Sequence, residues 1–183
     1  DVPVSIDTYK AKVAAAAIEA GADLVNDIWG LKYDPEMAGL IARTGVACCL
    51  MHNKNNTEYQ DFYPDMLRET AECVKLAKEA GIADDKIILD PGVGFGKNYE
   101  QNLETILHME RFHELGYPML LGTSRKSVIG LTLDLPADQR VEGTLVTTVM
   151  AVMKKYAFVR VHDIKENQRT IQMTEAILRA GEN

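Results

Sequence analysis

The chain has little cysteine: Cys48, Cys49 and Cys73 are odd in number and show no CxxC spacing. Neither a disulfide framework nor a thiolate zinc site is indicated, and a reducing, cytoplasmic setting is expected. Long apolar runs are also missing, since none approaches the roughly 18 consecutive residues of a membrane-spanning helix. Nor is there a basic excess. The 20 Lys and Arg stand against 27 Asp and Glu, a formal net charge of -7. That balance excludes broad binding to nucleic acid or to an anionic membrane, because either needs cations clustered on one face. No linker, low-complexity tract or shift of composition divides the chain, so residues 1–183 are expected to form one domain. The first residue is Asp1 rather than methionine, and a segment upstream is expected to be absent. What the sequence does hold is apolar mass, 46% of 183 residues, enough for one sizeable core.

Short apolar runs alternate with longer stretches of helical period, the pattern of an α/β fold. Strands are expected at 3–7, 22–27, 46–52, 86–90, 118–122 and 157–162, each brief and rich in apolar residues between Gly, Pro, Asp or Asn. Helices are expected near Tyr9–Ala20, Pro35–Arg43, Asp61–Ala80, Gln101–Leu115, Ala137–Lys155 and Glu166–Ala180. Gly21, Gly45 and Gly81 stand just past three of them, where a left-handed residue ends a helix.

Each expected strand ends in polar residues: Asp7, Asn26 with Asp27, His52, Asp90, then Ser124, Lys126 and Ser127, and finally Arg160 with His162. In a parallel α/β structure the C-terminal strand ends form one face, so these residues converge although they are distant in sequence. In "LDPGVGFGK", Asp90 closes a strand ahead of a Gly-rich loop that lets a ligand approach the backbone. The spacing is neither a Walker loop nor GxGxxG, so nucleotide binding is disfavoured. A strand-end carboxylate can instead accept two parallel N–H bonds from an amidine-like ring edge; the competing reading of Asp90 is a helix cap. "GTSRKS" reads as a strand-to-helix turn whose backbone N–H groups favour an anion, with Lys126 as an added point charge. Arg160 and His162, two apart, share a side if the strand continues through them, and Asp163 stands as a plausible N-cap for the next helix. Two anion sites flanking a heterocycle-binding carboxylate suggest a phosphorylated and a carboxylated substrate.

"SIDTYK", "NDIWG", "MHN", "DPGVGFGK", "GTSRKS" and "VRVHD", in this order and along the whole chain, resemble the dihydropteroate synthases, pterin-binding enzymes of folate synthesis and the target of sulfonamides. The resemblance implies a TIM (β/α)8 barrel, of which this chain covers about six βα units, strands 3 to 8. It implies a transferase that joins 6-hydroxymethyl-7,8-dihydropterin pyrophosphate to p-aminobenzoate and releases pyrophosphate with Mg2+, in a homodimer. By the same resemblance, Asp7, Asn26, Met51, Asp90, Gly122 and Lys126 match the pterin site. Phe95, Lys126 and Ser127 match the p-aminobenzoate site, and Arg160 with His162 the pyrophosphate site. Asp7, Lys126, Arg160 and His162 are the expected catalytic set.

One departure from the family is plain. Its N-terminal motifs, an "NxTPDSF"-like strand and a "GGESTRPG"-like loop, are not in this sequence, and with them goes the Asn expected to bind Mg2+. No metal ligand is therefore assigned within the chain. The rival readings are a methyltetrahydrofolate-dependent methyltransferase of the same family, which needs neither SRKS nor RVHD, and a non-catalytic barrel fragment. A Schiff-base aldolase would want Lys126 inside a strand rather than opening a helix. Metal hydrolysis through His52 and His162 lacks a carboxylate at ligand spacing, and His108 with His113 is expected to lie solvated on a helix.

Overall fold

The computed structural model describes residues 2–181. Six parallel strands alternate with helices: β1 (Ser5–Asp7), α1 (Ala11–Glu19), β2 (Leu24–Asp27), α2 (Met37–Thr44), β3 (Ala47–Met51), α3 (Phe62–Glu79), β4 (Ile87–Asp90), α4 (Tyr99–Leu107), β5 (Leu120–Leu121), α5 (Ser127–Leu133), α6 (Val141–Met153), β6 (Phe158–Val159) and α7 (Ile164–Ala180). β1 to β4 pair in sequence order, β5 pairs with β6, and a single bridge from Leu89 to Met119 joins the two groups. The result is an arc of a β/α barrel in which, among the described residues, β1 and β6 are the open edges.

Burial follows position in the arc. β3 and β4 are covered on both sides and nearly every residue is buried, as expected for parallel strands under helices. β1 and β6 are largely exposed. One apolar core runs under β2 to β4 through Val25, Leu50, Leu89 and Met66; a second, around Leu121, Ile129 and Ala151, lies under the later units.

Two expected helices are interrupted. The 101–115 segment leaves α geometry at His108 and continues as a 3-10 turn, Met109–Leu115. The Glu104 carbonyl still accepts the His108 N–H, but carbonyls beyond it are occupied from outside: Tyr63 Oη donates to Thr105, Lys154 Nζ to Leu107, and Tyr156 Oη to Met109. In the break, His113 hydrogen-bonds the Lys154 carbonyl at 2.7 Å, so it is not simply solvated as expected. The 137–155 segment starts as a 3-10 turn and becomes helical only after Arg140, whose guanidinium donates to the Leu135 and Arg125 carbonyls. The glycine stops hold: Gly21, Gly45 and Gly81 follow α1, α2 and α3 with φ of 103°, 70° and 90°.

Candidate active site

Register places the strand ends side by side. Asp7 is opposite Asn26 across β1 and β2, and Met51 opposite Asp90 across β3 and β4. These residues open onto one cavity of about 440 Å3 at the C-terminal end of the arc. Phe95, Gly122, Lys126, Arg160 and His162 line it too, with Ser124, expected among the converging residues, and two residues to which sequence reasoning gave no role, Ile28 and Val161. Among the residues matched to a ligand site Ser127 is the exception, and of the other converging strand-end residues Asp27 is buried, accepting the Trp29 and Leu31 N–H groups. Ser127 is the exposed first residue of α5 and borders a separate, open depression with Leu131, Asp134 and Arg140.

Asp90 is buried at the end of β4, and its Oδ1 accepts the Gly92 N–H at 2.7 Å. It is not a helix cap; that role at α4 belongs to Asn98, which forms a reciprocal capping box with Gln101. Oδ2 is turned the other way: a Cβ on Gly122 would sit 3.5 Å from it and 4.0 Å from Lys126 Nζ. Glycine at 122 thus leaves open the space between carboxylate and ammonium. Burial raises the Asp90 pKa, and Lys126, the Gly92 N–H, Lys97 and Arg160 work against that rise. Gly92 itself has φ 70°, and a Cβ there would lie 1.9 Å from the His52 carbonyl oxygen, so no other residue fits the turn.

The adjacent cations of "GTSRKS" have separate tasks. Arg125 adopts φ 58°, a left-handed conformation that is unusual for a non-glycine residue. It is held there because its N–H donates to Thr144 Oγ1 and its carbonyl accepts from Arg140. Its guanidinium then binds both oxygens of Asp163, at 3.1 and 2.5 Å. Asp163 stands at the cap position of α7 but caps nothing with its side chain, because its carboxylate is engaged by Arg125. Lys126, one residue on, turns toward the cavity, with Nζ bonded to the Val93 carbonyl and 4.7 Å from the centre of the Phe95 ring. Burial lowers its pKa while Asp90 opposes the change.

Arg160 and His162 lie past the end of β6, which stops at Val159, so shared strand parity does not bring them together. The Arg160 N–H still bonds the Leu121 carbonyl, and the chain then turns. The His162 N–H donates to Ser124 Oγ at 3.1 Å, and Ser124 Oγ lies 2.9 Å from His162 Nδ1. If the hydroxyl donates to Nδ1, the ring proton sits on Nε2, available to an anion. The guanidinium of Arg160 pairs with Asp7, spanning the open side of the arc between the ends of β6 and β1.

His52, expected among the converging residues, is buried beneath the cavity rather than in it. Its Nε2 meets Glu69 Oε2 at 2.9 Å and its Nδ1 meets Lys97 Nζ at 3.0 Å. Burial pushes the imidazole down to about 4, and the His52 bond holds Glu69 at about 2. Among the described residues no group of three or more His, Cys, Asp or Glu is arranged to hold a metal. The cavity carboxylates Asp7 and Asp90 are engaged by Arg160 and by the Gly92 N–H. These residues do not by themselves fit Mg2+, and no chemical step is routed through it.

The pterin binding enzyme family matches residues 1–162. A curated dihydropteroate synthase from Clostridium beijerinckii is 61% identical over 180 residues, 98% of this chain and 67% of the relative. One from Bacillus subtilis is 50% identical over 98% of this chain and 63% of its own length. The chain thus spans about two thirds of these relatives. Among solved structures, a Clostridium difficile dihydropteroate synthase crystallised with pteroic acid superposes with a TM-score of 0.94 at 46% identity, covering 97% of this chain and 68% of that one. The methyltransferase alternative finds no support among them, and the chain belongs to the pterin-binding enzyme family, among its dihydropteroate synthases.

Proposed function

We propose that the cavity takes the pterin ring at its Asp90 end and pyrophosphate at its Arg160 end, and that the chain serves the synthesis of 7,8-dihydropteroate. The observation that carries this reading is the pairing of a buried carboxylate with an open Oδ2 and a cationic rim, in one cavity of about 440 Å3. Asp90 accepts ring N–H groups, Asn26 adds a further amide contact, and Lys126 donates to a ring carbonyl. The aniline nitrogen of p-aminobenzoate attacks the exocyclic methylene, forming the C–N bond as the C–O bond to pyrophosphate breaks; the nitrogen then loses a proton. The charge that develops is on the leaving group, so catalysis rests on Arg160 and His162 stabilising pyrophosphate and on holding the two reactants in contact. Phe95 and the Lys126 stem form the wall against which the benzoate ring packs. Ser127, outside the cavity, reaches the carboxylate only if the substrate extends over the turn.

A homodimer is proposed on the apolar face shared by α4, α5 and α6, where Leu103, Leu133 and Val146 are all exposed. A cytoplasmic setting accords with three free, buried cysteines. One domain accords with Tyr156, which packs on both apolar cores. The test is calorimetry with the pterin pyrophosphate, together with a synthase assay on the chain alone and with the first two βα units of the Clostridium beijerinckii relative supplied in trans. Weak pterin binding alone and turnover on supplementation are expected. Absence of pterin binding in both preparations overturns the reading; robust synthesis by the chain alone overturns the need for further strands.

A further inference from the structure

We infer that Lys97, outside the substrate cavity, is a positioning residue for the aromatic-amine site, fixing Phe95 by holding the loop that carries it. This rests on the function proposed above. Lys97 is buried, rare for lysine; burial lowers its pKa to about 7, and three acceptors converging on Nζ favour the protonated form with its three N–H donors. The acceptors are the Gly92 carbonyl at 3.0 Å, the Phe95 carbonyl at 3.1 Å and His52 Nδ1 at 3.0 Å. Because Nδ1 accepts, His52 is neutral with its proton on Nε2, which donates to Glu69. Glu69 also accepts from Lys54 at 3.2 Å, and Lys54 stacks 4.2 Å over the Tyr59 ring. Tyr59 Oη then donates to the Gly96 carbonyl at 2.7 Å, returning to the same loop.

Four loop carbonyls are therefore gripped from two sides. Lys97 takes Gly92 and Phe95, Tyr59 takes Gly96, and on the cavity side Lys126 takes Val93. The Phe95 ring stands between these grips, lining the cavity beside Lys126 Nζ. Asp90 depends less on Lys97, because its carbonyl accepts the His52 N–H at 2.9 Å, β4 is paired in the sheet, and its carboxylate is favoured more by Lys126 and the Gly92 N–H than by Lys97. Losing the ammonium should accordingly disturb the second substrate more than the pterin. A lysine that merely fills a buried gap would affect both ligands in proportion to lost stability.

The experiment compares Lys97→Met, Phe95→Ala and the double variant in the full chain by calorimetry, with pterin alone and with p-aminobenzoate in the presence of pterin and pyrophosphate. Lys97→Met is expected to weaken p-aminobenzoate on the order of tenfold, the loss of charged hydrogen bonds, with pterin affinity changed by less than about twofold. On the Phe95→Ala background the same substitution is expected to have almost no further effect, since it acts through that ring. Additive losses, or equal losses for both ligands, overturn the inference. Amide hydrogen exchange provides a readout independent of any ligand: protection at residues 92–96 should fall in Lys97→Met while β4 and α4 keep theirs. Unchanged exchange in the loop also overturns it. Wild-type chain that fails to bind pterin while the loop exchange responds as expected would refute the proposed function and leave the lysine's hold on the loop standing.

Discussion

Replacing Asp90 with asparagine keeps the shape of the side chain and changes only which atoms donate. The structure fixes how the amide must sit. Its oxygen has to face the Gly92 N–H, which Oδ1 accepts at 2.7 Å, because the opposite orientation sets donor against donor. The NH2 group then occupies the place of Oδ2, opening onto the cavity, where a ring N–H of the pterin arrives. One matched charged bond becomes a buried clash of donors, a loss of about 3 kcal/mol, or roughly two orders of magnitude in Kd. Stability should move the other way. Burial raises the Asp90 pKa, so its ionised form costs the fold stability above the unfolded carboxylate's pKa, and that cost grows as pH rises toward the folded value. Asparagine removes it, and Asp90→Asn is expected to melt at or above the parent at pH 7. Calorimetry and thermal melts on the same preparations check both halves. Unchanged pterin affinity removes Asp90 from the site, and a joint fall in affinity and melting temperature makes it structural instead.

Arg160→Ala is expected to weaken pyrophosphate and pterin pyrophosphate by tenfold or more, about the 1.5–3 kcal/mol of a hydrogen bond to a charged group, with the unphosphorylated pterin nearly unaffected; equal losses for all three ligands would mean that the Asp7 pair, not the anion, is what Arg160 serves. His52 should make the fold sensitive to mild acid. Unfolded, it takes up a proton near 6.5; folded, not until about 4, so stability falls as pH drops between those values, by roughly 3 kcal/mol. Melts of His52→Gln between pH 6.5 and 4.5 should show a flatter slope, and an identical slope would place the acid sensitivity elsewhere. Sulfonamides are expected to compete with p-aminobenzoate, since both pack against Phe95 and Lys126; purely noncompetitive inhibition would contradict that wall as the second site. Ser127→Ala, at a residue outside the cavity, is expected to alter the p-aminobenzoate KM and not pterin affinity.

The strand ends were legible because the parallel topology does the gathering. Once six apolar runs alternate with helices, Asp7, Asn26, Asp90, Lys126 and Arg160 have nowhere to go but one face, and hydrophobic period suffices to find the runs. What could not be read was which neighbour each side chain would take. Arg125 and Lys126 are equivalent cations in the string; they are separated by a left-handed backbone at Arg125 that Thr144 and Arg140 hold from 15 to 19 residues away. The break at His108 has the same origin, since side chains distant in sequence occupy carbonyls that local propensity would give to a helix, while before Arg140 that residue's own guanidinium takes the Leu135 carbonyl. Lys97 is the sharpest instance. Beside Gly96 it reads as a failed phosphate loop, and only with His52, Glu69 and Tyr59 folded around it do its three N–H groups meet three acceptors. A pattern in sequence therefore locates a site wherever the backbone alone decides position. Where a buried charge decides it, the partner must be known first, and Lys97 takes its partners from the preceding βα unit as well as from its own loop.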